Sequence, residues 1–220
     1  MLTRAVVLVS GGIDSAVALG WARRRYRPIA LSFDVPGRPR GEARACEAVL
    51  AAAGVPHHRV SLPFLRSRAD GWIAGRNLVF HAVASSLASR WRVRTVVAGH
   101  NASDARHFLD ARPAFFSGLR RIVERVRIVL PFAEMTDADV ALLGVRLDVP
   151  LGLTWSCYRD GARPCGRCAA CRERRAALRA AGVVEDAEGG GDHGLRYVVA
   201  GRDRVLADVG RRPRASLRHS

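Results

Sequence analysis

Short apolar runs alternate with longer amphipathic stretches through most of the chain, the pattern of parallel strands joined by crossover helices. The runs predict strands over 5–9, 28–33, 58–62, 93–98 and 127–130. Between them, 15–24, 41–53, 77–90 and 112–125 carry helical spacing and much alanine. A further helix is predicted over 136–144, with Thr136 as cap, Asp139 three positions on, and Gly144 at its end. The fold class is therefore α/β: a three-layer α/β/α domain with a mostly parallel five-stranded sheet. Its ligand is expected at the carboxyl ends of the strands, where the loops after Val9, Phe33 and Ala98 converge.

The pattern breaks near residue 150. A cysteine-rich segment follows, "TWSCYRDGARPCGRCAACRERRAALRAAG", closing with a helix that ends at Gly182. Beyond Val183 come "EDAEGGGDHG" and an arginine-rich end, expected to be a flexible linker and tail with weak strands in "LRYVVAG" and "RVLADVG". The predicted organisation is a nucleotide-binding domain over 1–150, a metal-binding helical segment over 151–182, and the tail over 183–220.

Composition sharpens the reading at two points. The 220 residues are 49% hydrophobic, enough for one domain with a core, and no run approaches the roughly 20 apolar residues of a membrane span. The first residues lead straight into a strand, not a signal peptide, so a cytoplasmic protein with no membrane partner is expected. The formal charge is +16, and every one of the 36 lysine-plus-arginine positions is arginine. Such a field favours nucleotides, nucleic acid or an acidic protein partner. Arginines scattered over every segment equally fit a compositional bias of solvated surface.

The chemistry begins at "VSGGIDSA". Ser10, Gly11, Gly12, Ile13, Asp14, Ser15 and Ala16 lie between a predicted strand and a predicted helix, where backbone N–H groups and the helix dipole suit an anion. Gly11 and Gly12 allow close approach of a phosphate, and Ser10 and Ser15 offer hydroxyls. Asp14 beside a phosphate needs a cation such as Mg2+, unless it caps the helix. The competing reading is an ordinary strand-to-helix turn with a serine or aspartate cap. The loop has neither the G-K-[ST] ending nor the G-x-G-x-x-G pattern of the commoner phosphate loops.

Four of the five cysteines crowd into Cys157-x7-Cys165-x2-Cys168-x2-Cys171. That spacing suits a closed, structural tetrahedral Zn2+ site, with an iron–sulfur cluster and a redox pair as rivals. Cys46 reads as a small buried residue. His57 and His58 read as structural, and His100 and His107 as site-loop residues open to a general-base role.

The SGGxDS loop resembles that of the ATP pyrophosphatase group, with its adenine nucleotide α-hydrolase-like (HUP) fold. Together with "TWSCY…CGRCAACRERRAAL", it closely resembles the 7-cyano-7-deazaguanine synthase family of queuosine and archaeosine biosynthesis. The likeness runs from about residue 5 to 182 and includes "GRN" at Gly75, Arg76 and Asn77. It also includes Gly99, Asn101, Ala102, Asp104, Asp110, Arg112, Pro113 and Phe115. The resemblance implies an ATP-dependent, AMP-forming C–N ligase that converts 7-carboxy-7-deazaguanine with ammonia, through the amide, to the nitrile. It further implies pyrophosphate held by Ser10 to Ala16, with Asp14, Ser10 and Ser15 catalytic. Arg38, Arg76, Asn77, Gly99, Asn101, Asp104, Asp110 and Arg112 would form the nucleotide and base pocket. Cys157, Cys165, Cys168 and Cys171 would hold Zn2+, and a homodimer is expected.

The departures from the family cluster. Val35, Pro36, Gly37, Arg38 and Pro39 keep only the arginine of a Y-G-Q-R-H run, and Ala105, Phe108, Leu109, Ala111 and Ala114 replace two tyrosines, a proline, a cysteine and a glutamate. Asp137 stands where a lysine is expected, so Arg38 or Arg112 would have to supply the charge. Two alternatives follow: a relative that adenylates a related deazaguanine carboxylate for attachment to a macromolecule, and a non-catalytic basic protein that binds nucleic acid.

Overall fold

All five apolar runs become strands of one parallel sheet: β1 (Arg4–Leu8), β2 (Arg27–Asp34), β3 (His57–Ser61), β4 (Thr95–Val97) and β5 (Arg127–Val129). The computed structural model describes residues 1–123, 125–185 and 197–199. Strand order is β3-β2-β1-β4-β5. The chain therefore winds outward from β1 in one direction and then, from β4, in the other. That reversal opens a crevice at the carboxyl ends of β1 and β4, where ligands bind in sheets of this kind.

Among the described residues seven α-helices accompany the sheet: α1 (Ile13–Arg23), α2 (Arg40–Ala53), α3 (Arg76–Arg90), α4 (Ala102–His107), α5 (Pro113–Ile122), α6 (Asp137–Arg146) and α7 (Ala169–Ala180). Alternation along β1 divides the core. Ala5 and Val7 pack with α1, α2, α6 and α7 on one face, whereas Val6 packs with Leu31, Phe33 and α3 on the other. Both faces are covered, which is why the strands read as nearly continuous hydrophobic runs.

Three helix boundaries differ from the sequence reading for local reasons. Gly144 lies inside α6, because a Cβ there would stand 2.8 Å from Val17 Cγ2; the glycine lets α6 close on α1. The fifth helix starts at Pro113, whose fixed φ suits a first helical position, and it stops at Ile122. Before it, α4 occupies a stretch read as loop. It has only six residues, and Asn101 and Asp104 form a reciprocal capping box at its start. The same device, Thr136 with Asp139, starts α6 where the sequence placed it.

After α7, Val183 is buried in the main core, and Val183–Glu185 pairs antiparallel with Tyr197–Val199, which falls within "LRYVVAG". The predicted strand in "RVLADVG" lies outside the described residues. No described helix is long and apolar enough to cross a membrane.

Candidate active site and cysteine cluster

A cavity of about 350 Å3 opens where β1 and β4 diverge, and Ser10, Gly12, Asp14 and Ser15 form its floor. The loop holds itself in shape. Ser15 Oγ accepts from Ser10 N at 3.1 Å and donates to Gly12 O at 3.0 Å, while Gly12 N donates to Ser10 Oγ at 3.3 Å. Neither serine nor aspartate caps α1; its N-cap is Gly12, with no side-chain bond. The first N–H groups of α1 therefore lack the side-chain partner an ordinary capped turn would give, the arrangement that seats an anion.

Two glycines let other elements close on this loop. At Gly99 a Cβ would lie 2.5 Å from Asp14 O, so only a bare backbone fits between β4 and α1. At Gly11 φ is +98°, and a Cβ would lie 2.6 Å from both Cys46 N and Glu42 O on α2. Gly11→Ala should therefore destabilise the fold by about 2–4 kcal/mol, through left-handed strain and displacement of α2. Thermal unfolding checks this, and an unchanged melting temperature would show that α2 yields freely.

Three carboxylates meet over the loop. The Asp14 carboxyl is pushed up to about 8, first by burial and then by the charges of Asp104 and Asp137, with a hydrogen bond from Asn101 opposing. Asn101 organises the group: its Nδ2 donates to Asp137 Oδ1 at 2.8 Å, and its Oδ1 accepts from Ser103 N and Asp104 N. Asp104 shifts the other way. Burial acts to raise it, but the bond and charge of His100 prevail and lower it, with His100 Nδ1 at 3.7 Å from Asp104 Oδ2.

Cations near the floor differ in freedom. Arg38 is committed, with Nη2 donating to Ser10 O at 2.8 Å, Nη1 donating to Phe33 O, and an ion pair to Glu42 at 2.9 Å. It ties the ends of β1 and β2 together. Arg174 is buried and donates to Thr154 Oγ1 and Leu151 O. Arg76, at the start of α3, has a stacking contact over the Phe108 ring at 5.6 Å and no ion pair with a described residue. One wall is aromatic, with Phe33 and Phe80 stacked at 4.3 Å between centroids.

His81 was missed from sequence. It is fully buried beside the cavity, with Nε2 at 3.2 Å from His100 Nε2, and burial, then His100 and Arg120, lower its pKa to about 3. His81 is therefore neutral at physiological pH. Only its place on the inner side of α3, four residues after Asn77, hints at the cavity. His57 bonds Ser32 Oγ at 2.8 Å and His58 packs on Trp91 at 4.4 Å, both away from the site. Cys46 is buried, its Sγ against Val9 O, and burial raises its thiol.

The other predicted residues divide. Arg38, Arg76, Asn77, Gly99 and Asp104 line the cavity with the loop. Gly11 and Ala16 sit behind it, buried. Asn101 acts through the carboxylates. Asp110 and Arg112 are outside the lining: Asp110 bonds Asn77 through Oδ2 and its carbonyl, and Arg112 is exposed with Nε on Ala105 O.

Cys157, Cys165, Cys168 and Cys171 bring their four sulfurs within 4.8 Å of one another, with none in a disulfide. The Cys165–Cys171 and Cys157–Cys168 separations are 4.0 Å. Sulfurs at about 2.3 Å from one tetrahedral ion would stand about 3.8 Å apart, so the set fits a single metal ion. Backbone N–H groups of Arg159 and Cys165 point at Cys157 Sγ from 3.4 and 3.3 Å, as around bound thiolates. The cluster also builds the cavity wall. Trp155 N donates to Gly11 O at 2.9 Å, the Trp155 ring covers Gly41, and the Tyr158 ring covers Gly71.

Comparison with known proteins gives one consistent picture. The family model described as "Queuosine biosynthesis protein QueC" matches residues 4–71 and 66–182. The 7-cyano-7-deazaguanine synthase of Thermosynechococcus vestitus is 33% identical over 83% of this chain and 94% of its own length. That of Pseudomonas fluorescens is 31% identical over 83% and 96%. Among solved structures, the NMN synthetase of Francisella tularensis has a TM-score of 0.51 at 16% identity, over 84% of this chain and 79% of that one. The last is a likeness of fold.

Proposed function

The chain belongs to the QueC family of 7-cyano-7-deazaguanine synthases, and from that premise we propose that it is an ATP-dependent, AMP-forming ligase making the nitrile from 7-carboxy-7-deazaguanine and ammonia. The observation that carries the reading is the uncapped SGGIDS loop opening into the same cavity as Arg76 and the Phe33–Phe80 wall. The volume is at the small end of ligand sites, which run from about 300 to 1,000 Å3.

The reaction has two activations. The substrate carboxylate attacks the α-phosphorus of ATP and pyrophosphate leaves; ammonia then displaces AMP, giving the amide and a proton. A second ATP is attacked by the amide oxygen, again releasing pyrophosphate. Loss of AMP and of both nitrogen-bound protons leaves the C≡N bond.

This chain's residues have distinct parts in that sequence. The α1 N-terminus and loop amides hold the departing pyrophosphate, where fixed dipoles are most effective. Asp14, Asp104 and Asp137 would hold the magnesium that accompanies ATP, and the ion would supply positive charge where a lysine is missing at residue 137. Arg76, which forms no ion pair with a described residue, is the side-chain cation for the nucleotide. Arg38 shapes the floor instead. Zn2+ in the four-cysteine site is structural, since four thiolates leave no open position.

AMP and pyrophosphate release with 7-carboxy-7-deazaguanine and ammonia, together with nitrile mass in the product, tests the proposal. No AMP release with any deazaguanine carboxylate would defeat it. Asp137 favours a second reading, a shifted acceptor, which predicts AMP release without nitrile. Separately, Asp137→Ala should raise the magnesium concentration for half-maximal AMP release roughly tenfold, because one carboxylate ligand is lost. An unaltered magnesium titration would remove Asp137 from the metal's surroundings.

A further inference from the structure

Little of the +16 charge faces the cavity, whose lining has three arginines among five carboxylates. Topology sorts it. In a parallel sheet every strand starts on the same edge, and here four of the five carry arginine at or directly before the start. Arg27 opens β2, Arg4 opens β1, Arg127 opens β5, and Arg94 directly precedes Thr95 of β4. Arg4 is in register with Arg27, and Arg127 with Thr95. With strands about 4.8 Å apart, these four positions on adjacent strands span about 14 Å.

Arg92 and Arg125 join them around a cleft of about 800 Å3 that Met1, Leu2 and Thr3 also border, and no carboxylate of the described residues lines it. Arg92 is turned to this edge by a left-handed backbone, φ 55°. All six arginines are exposed, and none forms an ion pair with a described residue. Their polar contacts are neutral, Arg4 to Trp91 O at 2.7 Å and Arg127 to Tyr26 Oη at 3.3 Å. Ion pairs with carboxylates occur at other places on the surface, Arg38 with Glu42, Arg40 with Asp160, Arg59 with Glu47 and Arg68 with Asp70, and what sets this edge apart is six arginines around one cleft without a carboxylate among its described lining.

Helix dipoles do not account for the row. Arg23, Arg90 and Arg120 in the last turns of α1, α3 and α5 complement those helix ends. The starts of strands offer no such field, since sheets have little net dipole. Six guanidiniums along one edge concentrate positive field there, and a polyanion is the ligand that such a field attracts.

We propose that this edge binds the phosphodiester backbone of a nucleic acid, at the end of the sheet opposite the nucleotide cavity. Guanidinium forks pair bidentately with phosphate oxygens. A 14 Å row of them, about the strand spacing multiplied by three, follows consecutive phosphates without reading bases. Binding there leaves the cavity open, so both sites can be filled at once.

The test uses the full chain, a short labelled single-stranded RNA, a labelled DNA duplex, and a salt series from about 50 to 200 mM. Arg27→Glu/Arg94→Glu/Arg127→Glu should weaken binding roughly tenfold or more, and flatten the duplex salt slope by about 0.9 per contact removed. Arg66→Glu/Arg68→Glu/Arg163→Glu makes the same change of charge elsewhere, and should weaken binding by less than about threefold. Equal loss in both, or no binding by the parent chain, overturns the proposal, as does tighter binding to phosphatidylserine vesicles than to either nucleic acid. Thermal unfolding checks both variants. If the first does not fold, Arg92→Glu/Arg125→Glu, outside the strands, carries the same comparison.

Discussion

Asp14→Asn is expected to reduce AMP release by roughly a hundredfold to a thousandfold, while metal content at the cysteines stays unchanged. Asparagine keeps the shape and loses the charge that would receive the nucleotide's magnesium. Aimed charges in a site closed to water are worth about 3–4 kcal/mol each, and this one stands at the reacting phosphates. Retained turnover would remove Asp14 from the reaction.

The same substitution has a pH signature without ligand. The Asp14 carboxyl is raised from 3.8 to about 8 in the folded chain. Above about pH 4 the unfolded chain has lost this proton, and the folded chain keeps it until about pH 8. Stability therefore falls as pH rises through that window, by at most about 1.4 kcal/mol per unit and less because the cavity admits water. The asparagine side chain has no proton to lose, so the variant should be more stable than the parent at pH 8 and equal to it below pH 4. A melting-temperature difference that does not grow with pH would contradict the partly buried, mutually repelling carboxylates. By the same linkage, filling the site with magnesium and ATP should release a proton near neutral pH.

Local patterns made the sheet legible. Val6 and Val7 announce a strand buried on both faces, and a glycine pair after it announces the turn into α1 at the cavity floor. The cysteine spacing announced its cluster because all four ligands lie within fifteen residues. What stayed hidden depends on contacts between distant segments. His81 and His100 meet across nineteen positions, and α4 is too short for periodicity to mark it. Asp110 and Arg112 sit on the family pattern, yet the turn into α5 spends them on Asn77 and Ala105. The arginine row was invisible for the opposite reason. Arginine is everywhere in this sequence, and only parallel strand order brings four of them to one edge.

Removing the metal should have the largest effect on the fold of any change considered. Four thiols with sulfurs within 4.8 Å of one another have little else to hold them. Structural zinc contributes about 10–16 kcal/mol to folding in small zinc-dependent peptides, and an ion bound to these sulfurs would fix the segment from Cys157 to Cys171. The sheet has its own core, so a chelator should leave it folded and melt this segment first, giving two unfolding transitions in place of one. Activity should vanish with the first. Trp155 bonds Gly11, and Tyr158 packs on Gly71, so the freed segment takes a cavity wall and one support of the phosphate loop with it. One equivalent of Zn2+ per chain should restore both the single transition and AMP release. Cobalt substitution should give the absorption of a tetrahedral thiolate site. A chelated protein that still releases AMP and melts in one step would show that the wall stands without its ion.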